Sequence, residues 1–240
     1  EIPGQEEGIP SAGAGILDGG AVAVGHLAVF QNQHDRDGLA GLADRGKALG
    51  HRLADVENAV VTGGTRGIGL AIVRKLLENG ANVAVAGSRM ETAEAAVAKL
   101  IEEDAALADR LIAIAPNLND PDAVAAAFDE VVSAFGSLDI LCNNAGVSSR
   151  TPLVDYTVEE FERIVDLNLN AVFVCSQAAA RIMIEQGGGA IVNTSSMVGR
   201  DGQPAGCAYP TTKFAVNGLT LSLARELAGK GIRVNAVAPG

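Results

Sequence analysis

Residues 59–69 read AVVTGGTRGIG, and this stretch decides the fold. The apolar run at 59–62 predicts a buried strand, and the glycines in 63–69 predict a tight turn. The apolar spacing of 70–79 then predicts a helix that ends at Gly80. A strand, a glycine-rich turn and a helix in this order can bind a pyrophosphate, because backbone N–H groups at the helix start are free to donate. A tight turn without a ligand is the alternative.

The rest of the chain repeats the alternation of strand and helix. Short apolar runs predict five further strands, and helical patterns lie between them. The predicted strands are residues 59–62, 83–86, 111–115, 138–142, 190–194 and 232–237. Strands that alternate with helices form a parallel, doubly wound α/β sheet. One long helix is expected from about residue 158 to 186, and another from 209 to 228.

Composition and charge limit the classes of function. Of the 240 residues, 48% are hydrophobic and only 3% aromatic, which predicts a large aliphatic core. The net charge of -11 argues against nucleic acid or an anionic membrane as the main partner. The cysteines are Cys142, Cys175 and Cys207, and their spacing favours buried, reduced thiols and a cytoplasmic location. No apolar run in the sequence approaches the length of a membrane span.

Two regions differ in character. Residues 1–55 are rich in glycine, carry all three histidines and show no sustained periodicity, so we expect an irregular N-terminal extension. Residues 56–240 carry the strand–helix pattern and form the predicted catalytic domain. A Ser–His–Asp hydrolase lacks a histidine in that domain, and no His/Cys cluster has the ligand spacing of a zinc site, so no metal is expected.

The segment 208–213, AYPTTK, follows the fifth predicted strand. In a helix, Tyr209 and Lys213 lie four residues apart on one face, so the ammonium can stabilise a phenolate. Such a pair is an acid–base device. Pro210 also fits an ordinary first helical turn, which is the alternative interpretation.

Together these motifs resemble the short-chain dehydrogenase/reductase family, and the 3-oxoacyl-carrier-protein reductase-like group in particular. The resemblance covers residues 56–240. It depends on TGxxxGxG at 62–69, NNAG at 143–146, Asn168, Ser196, YxxxK at 209–213 and PG at 239–240. The resemblance implies a Rossmann-type sheet with strand order 3-2-1-4-5-6. Family members continue past the Pro-Gly pair into a substrate lid and a seventh strand; we expect both to be missing here, leaving a sheet edge uncovered.

The resemblance also implies roles for individual residues. Tyr209 would be the proton donor, Ser196 would bind the substrate carbonyl, and Lys213 would hold the nicotinamide ribose. Asn168 would hold a water in a proton relay to Lys213. Ser195 is the alternative candidate for the serine that binds the substrate carbonyl. The residues expected to contact the cofactor are Gly63, Thr65, Arg66, Gly67, Ile68, Gly69, Ser88, Arg89, Asn117, Leu118, Asn144, Ala145, Gly146, Tyr209, Lys213, Pro239 and Gly240.

The end of the second strand indicates which cofactor is used. An acid at this point binds the ribose of NAD, whereas arginine accommodates the 2′-phosphate of NADP. The chain has Gly87-Ser88-Arg89 here and a second basic residue, Arg66, in the glycine-rich turn. NADP is therefore favoured over NAD, although both arginines could simply be solvated.

The expected activity is the interconversion of a ketone and a secondary alcohol. Sugar dehydrogenases of the gluconate type and hydroxysteroid dehydrogenases are alternatives, as is a cofactor-binding fragment without turnover. The resemblance also implies a homodimer or homotetramer built on the two long helices. One departure from the family pattern is Asn58 in the first strand, which would point into the core. An unpaired buried amide costs about 1–3 kcal/mol. Another is Asn117, which stands where the family has an acid near the adenine.

Overall fold

The computed structural model describes residues 28–30 and 57–240. The strands and helices in these residues follow in chain order. They are β1 (Ala28–Phe30), β2 (Asn58–Thr62), α1 (Gly67–Glu78), β3 (Asn82–Ala86), α2 (Met90–Glu103), β4 (Leu111–Ile114), α3 (Pro121–Phe135), β5 (Ile140–Asn143), α4 (Val158–Val165), α5 (Ala171–Gln186), β6 (Gly189–Thr194), α6 (Val198–Asp201), α7 (Ala208–Leu227) and β7 (Ile232–Ala238).

The strands form one sheet in the order β1-β7-β6-β5-β2-β3-β4. The six strands from β2 to β7 are parallel, and their order is the predicted 3-2-1-4-5-6. β1 pairs antiparallel with β7, with Val29 opposite Val237. The edge that was expected to be uncovered is therefore paired in this structure. Apart from 28–30, the predicted irregular extension at 1–55 lies outside the described residues.

Helices cover both faces of the sheet, so each central strand is buried on both sides. All five residues of β2 are buried. Val60 packs with Phe128 of α3 and Met183 of α5, whereas Ala59 and Val61 pack with α1 and α2 on the opposite face. Successive side chains of a strand point to opposite faces, and this explains why the strands read as continuous apolar runs.

Asn58 is buried as expected, but its side chain is fully paired. Its Nδ2 donates to Ser137 Oγ at 2.8 Å and to the Phe135 carbonyl at 3.2 Å. Its Oδ1 accepts from Asn82 Nδ2 at 2.8 Å. These bonds join the start of the central strand to β3 and to the end of α3, so the predicted cost of an unpaired amide does not arise.

The predicted long helix is interrupted once, by a π-helical turn at Asp166–Asn170 between α4 and α5. By length and composition, the segment Val158–Gln186 could cross a membrane, and it is the one such helix among the described residues. This corrects the expectation that no run reaches that length. Within the fold, 44% of the most apolar 18-residue stretch of this segment is buried. Packing against the sheet therefore accounts for much of its apolar character.

Candidate active site

The glycine-rich turn lies at the carboxyl edge of the sheet, between β2 and α1. Gly63 and Gly67 have φ of +64° and +54°, which favour glycine. A Cβ at Gly69 would lie 2.1 Å from the Gly63 carbonyl oxygen, so the turn excludes every larger residue there. A Cβ at Gly67 would meet no atom within 4 Å, which leaves open space above the first helical turn.

The N-terminus of α1 suits an anion. Arg66 occupies the N-cap position without a side-chain capping bond, and the first turn contains no acidic residue. The first N–H groups of the helix and its positive dipole end thus face the open space above Gly67. These features fit the pyrophosphate of a dinucleotide. Ile68, in the same turn, is 53% exposed.

The NNAG segment that follows β5 braces the glycine-rich turn. Thr62 Oγ1 accepts hydrogen bonds from the backbone N–H groups of Asn144 and Ala145, at 2.9 and 3.0 Å. The Asn144 side chain donates to the carbonyls of Thr62 and Gly63, at 3.1 and 3.3 Å. The Asn144 amide is therefore committed to the turn itself. We find no sequence signal that would have identified the bracing role of Thr62.

The two arginines favoured for phosphate recognition are both exposed. Arg66 precedes α1 and Arg89 precedes α2, each with extended backbone. Thr65 lies between the two segments, since its Cγ2 is 3.1 Å from the position of a Cβ at Gly87. Ser88 is exposed beside Arg89. The segments that follow β2 and β3 thus carry two exposed guanidinium groups, Arg66 and Arg89, and the Ser88 hydroxyl.

Two predicted cofactor contacts after β4 have local partners. Asn117 Oδ1 accepts from the Asn119 N–H at 3.2 Å, which forms a turn just before α3. Leu118 packs against the core cluster that contains Phe128. Asn117 is exposed, so its amide nitrogen still faces solvent.

The predicted acid–base pair lies on α7, at the carboxyl edge of the same sheet. Lys213 Nζ is 5.5 Å from the centroid of the Tyr209 ring. The same ammonium donates to the Thr194 carbonyl, at the end of β6, at 2.6 Å. Lys213 is only 4% exposed, and burial lowers its pKa to about 8. Tyr209 is half-buried and stays accessible.

The two serines after β6 have different environments. Ser195 is 2% exposed, and its Oγ donates to the backbone carbonyl of Lys213 at 3.3 Å. Ser196 is half-buried, and its Oγ accepts from the Val198 N–H at a long 3.4 Å. The Ser196 hydroxyl proton therefore remains available to a ligand, whereas Ser195 holds the loop on α7.

Asn168 lies in the π-helical turn and is fully buried. Its amide pairs with both backbone groups of Val147, each at 2.8 Å, and its Nδ2 also donates to Thr212 Oγ1 at 3.2 Å. The side chain thus ties the loop after β5 to α7. A relay water would have to use the remaining lone pair of Oδ1. A Cβ at Gly146 would lie 3.2 Å from that oxygen and 3.8 Å from Lys213 Nζ, so glycine keeps this space open.

The last two residues of the chain contact the segment that carries Ser196. The Pro239 carbonyl accepts from the Met197 N–H at 3.0 Å. A Cβ at Gly240 would lie 3.5 Å from Met197 Cγ. The predicted Pro-Gly motif therefore lies beside the loop after β6, at the same edge as Tyr209 and the glycine-rich turn.

The chain is similar in sequence to several known proteins. Residues 57–240 match the family profile described as short chain dehydrogenase. A 3alpha-hydroxysteroid dehydrogenase of Mediterraneibacter gnavus is 58% identical over 184 residues, covering 76% of this chain and 72% of that protein. A 3-oxoacyl-(acyl-carrier-protein) reductase FabG of Staphylococcus aureus is 50% identical over 186 residues, covering 77% and 74%.

A solved structure is similar in both fold and sequence. It is a gluconate 5-dehydrogenase from Burkholderia cenocepacia in complex with NADP and tartrate. The TM-score is 0.71 at 33% sequence identity, and the match covers 76% of this chain and 70% of that one. The shared fold therefore extends over the whole parallel sheet.

Proposed function

The chain belongs to the short-chain dehydrogenase family, and on that premise we propose that it interconverts a ketone and a secondary alcohol with NADP(H). The observation that carries this proposal is the buried Lys213 ammonium, which lies between the Thr194 carbonyl and the Tyr209 ring. Burying an ammonium costs free energy, and an apolar side chain could fill the same space without that cost. The buried charge therefore indicates a functional role.

Each polar group in this cluster has one task. A nicotinamide cofactor, held by the glycine-rich turn and by Lys213, would supply the hydride that the carbonyl carbon of the substrate accepts. In the reducing direction Tyr209 donates its phenolic proton to the carbonyl oxygen, and Ser196 donates a hydrogen bond to the same oxygen. Lys213 stabilises the phenolate that remains, because its charge lies against the ring. Lys213 then gives a proton to the Tyr209 phenolate, and a water held by Asn168 passes a proton from solvent back to Lys213.

The preference for NADP(H) is supported by Arg66 and Arg89. Both are exposed at the ends of neighbouring strands, and no acid follows β3 at the position that would bind a ribose hydroxyl. A guanidinium binds phosphate oxygens with two parallel hydrogen bonds. The gluconate 5-dehydrogenase relative was solved with NADP, which agrees with this choice.

Three classes of substrate have support. The motifs favour a 3-oxoacyl thioester, as in the relative named 3-oxoacyl-(acyl-carrier-protein) reductase. A 3-hydroxysteroid is the second candidate, because the relative named 3alpha-hydroxysteroid dehydrogenase has the higher identity, 58% against 50%. A gluconate-type sugar acid is a third class to include in any assay.

The test begins with cofactor binding. We expect NADPH to bind more tightly than NADH in a fluorescence titration, and acetoacetyl-coenzyme A or a 3-oxosteroid to cause oxidation of NADPH. Tyr209→Phe should lower the turnover rate by about 10²- to 10⁴-fold without changing NADPH affinity, since it removes only the transferred proton. Turnover by Tyr209→Phe at the wild-type rate would refute the role of Tyr209. NADPH binding without turnover in the wild type would indicate a cofactor-binding fragment.

We also propose that the protein assembles as a homodimer or homotetramer in the cytoplasm. Apolar side chains are exposed along α5 and α7, where Phe173, Ile184, Phe214 and Leu221 are each 40–51% exposed. A groove of about 230 Å³ lies between these two helices. Exposed apolar side chains on two neighbouring helices are typical of a subunit interface. A monomer in light scattering at micromolar concentration would contradict the assembly.

A further inference from the structure

Two loops meet beside Tyr209. The first, residues 147–152, follows β5, and the second, residues 202–207, leads directly into α7. Gly206 has φ of +78°, and a Cβ there would lie 1.9 Å from the Ser149 carbonyl oxygen. The Gly206 N–H donates to the Thr151 carbonyl at 2.9 Å. The loops are therefore in direct backbone contact, and only glycine permits an approach this close.

Gln203 spans this contact with its side-chain amide. Its Nε2 donates to the carbonyls of Ser149, Ala205 and Gly206, at 3.1, 2.6 and 2.8 Å. The Gly206 carbonyl also accepts from the Tyr209 N–H, at 3.3 Å. One amide thus connects the first loop to the carbonyl that holds the first turn of α7. We call Ser149, Gln203 and Gly206 the loop clamp.

The first loop is itself fixed from two sides. The hydroxyls of Ser149 and Thr151 both donate to the carboxylate of Glu160 on α4, the second of them at 2.9 Å. These two bonds lower the pKa of Glu160. On the inner side, Asn168 pairs with Val147. The loop clamp therefore anchors the start of α7 to a loop that is itself held by hydrogen bonds on two sides.

We propose that Gln203 is a positioning residue that sets the location of the Tyr209 hydroxyl. α7 is tied to the first loop by Asn168 at Thr212 and, before Tyr209, by Gln203 and by the Gly206 N–H bond to Thr151. Without the Gln203 amide, only that one backbone bond holds the residues before Tyr209, and the first turn of α7 is freer to pivot about Thr212. A displacement of about 1 Å at a reacting group can cost roughly 100-fold in rate. This inference rests on the proposed role of Tyr209 as proton donor.

Gln186 provides a matched control. Its Nε2 also contacts three oxygens, those of the Leu138 and Gly188 carbonyls and of the Asp139 carboxylate, at 2.8, 3.0 and 3.3 Å. These contacts join the end of α5 to the segment before β5, at the opposite edge of the sheet. Gln186→Met and Gln203→Met therefore remove similar bonds, but only the second lies beside Tyr209.

The experiment compares kinetics and hydrogen exchange in the full chain. Gln203→Met should lower kcat for reduction of acetoacetyl-coenzyme A or a 3-oxosteroid by about 10- to 100-fold and leave the Kd for NADPH within twofold. Gln186→Met should leave both unchanged. The amides of Gly206 and Tyr209 should exchange faster in Gln203→Met and not in Gln186→Met. Gln203→Asn, which keeps an amide but is shorter, should show the same pattern if the methionine variant folds poorly.

The inference is overturned if Gln203→Met and Gln203→Asn keep kcat within twofold of the wild type, or if the two amides exchange at the wild-type rate. Failure of the proposed function gives a different result. If the wild type reduces no ketone, the exchange measurement alone decides whether Gln203 holds the start of α7.

Discussion

Replacing Lys213 with Met should stabilise the protein at neutral pH while it abolishes activity. Burial lowers the pKa of Lys213 from 10.5 to about 8, which corresponds to roughly 3 kcal/mol of destabilisation when the amine is charged. Methionine has a similar volume and no charge. Its loss of the hydrogen bond to the Thr194 carbonyl costs about 0.5–1.5 kcal/mol, so the expected net gain at pH 7 is about 2 kcal/mol.

The pH dependence gives the sharper test. Below pH 8 the amine is protonated in both the folded and the unfolded chain, and the cost of burial is fully present. Between pH 8 and 10.5 the folded chain has lost this proton while the unfolded chain keeps it, so the free energy of unfolding of the wild type rises with pH. The stability of the wild type relative to Lys213→Met should therefore rise by roughly 2–3 kcal/mol between pH 7 and pH 10, which removes the advantage of the variant.

Urea denaturation of the two proteins at pH 7 and pH 10 measures this difference. Lys75→Met is the control, because the Lys75 side chain is 75% exposed and its replacement should produce no such pH-dependent change. An equal stability difference between Lys213→Met and the wild type at both pH values would refute the assignment of a costly buried ammonium.

Three further comparisons test the site. Ser196→Ala should lower kcat by about 10²- to 10³-fold, because it removes a donor to the reacting oxygen, whereas Ser195→Ala should cost about 1 kcal/mol of stability in a denaturation curve and little activity. Arg89→Ala should weaken NADPH binding about 10- to 100-fold in a fluorescence titration and leave NADH binding unchanged, as expected for one charged contact to the 2′-phosphate. Gly69→Ala should abolish cofactor binding, since the added methyl collides with a backbone carbonyl, while Gly229→Ala, in open space just after α7, should keep it.

Much of the fold was predictable because its signals are local. The six parallel strands were recognised as apolar runs, and their observed order is the one that the family resemblance implied. Helix α7 was expected from residue 209 and begins at Ala208. The pairing of β1 with β7 was not expected, because three residues of an otherwise aperiodic segment carry no pattern that identifies a strand partner.

The sequence by itself determined which residues could form the site. Tyr209 and Lys213 share a helical face because they are four residues apart, and the glycines of 63–69 permit the turn because of their own backbone freedom. These are properties of one turn of chain, so no distant contact is needed to predict them.

Only the tertiary structure decided what each candidate side chain contacts. It separated Ser196 from Ser195, placed the Thr194 carbonyl on the Lys213 ammonium and used the amide of Asn168 as a brace. The loop clamp likewise joins residues 54 apart, Gln203 and Ser149. Such contacts depend on how strands and helices pack, and burial then sets the charge and reach of each group. A local sequence pattern specifies neither the packing of the elements nor the burial of each group.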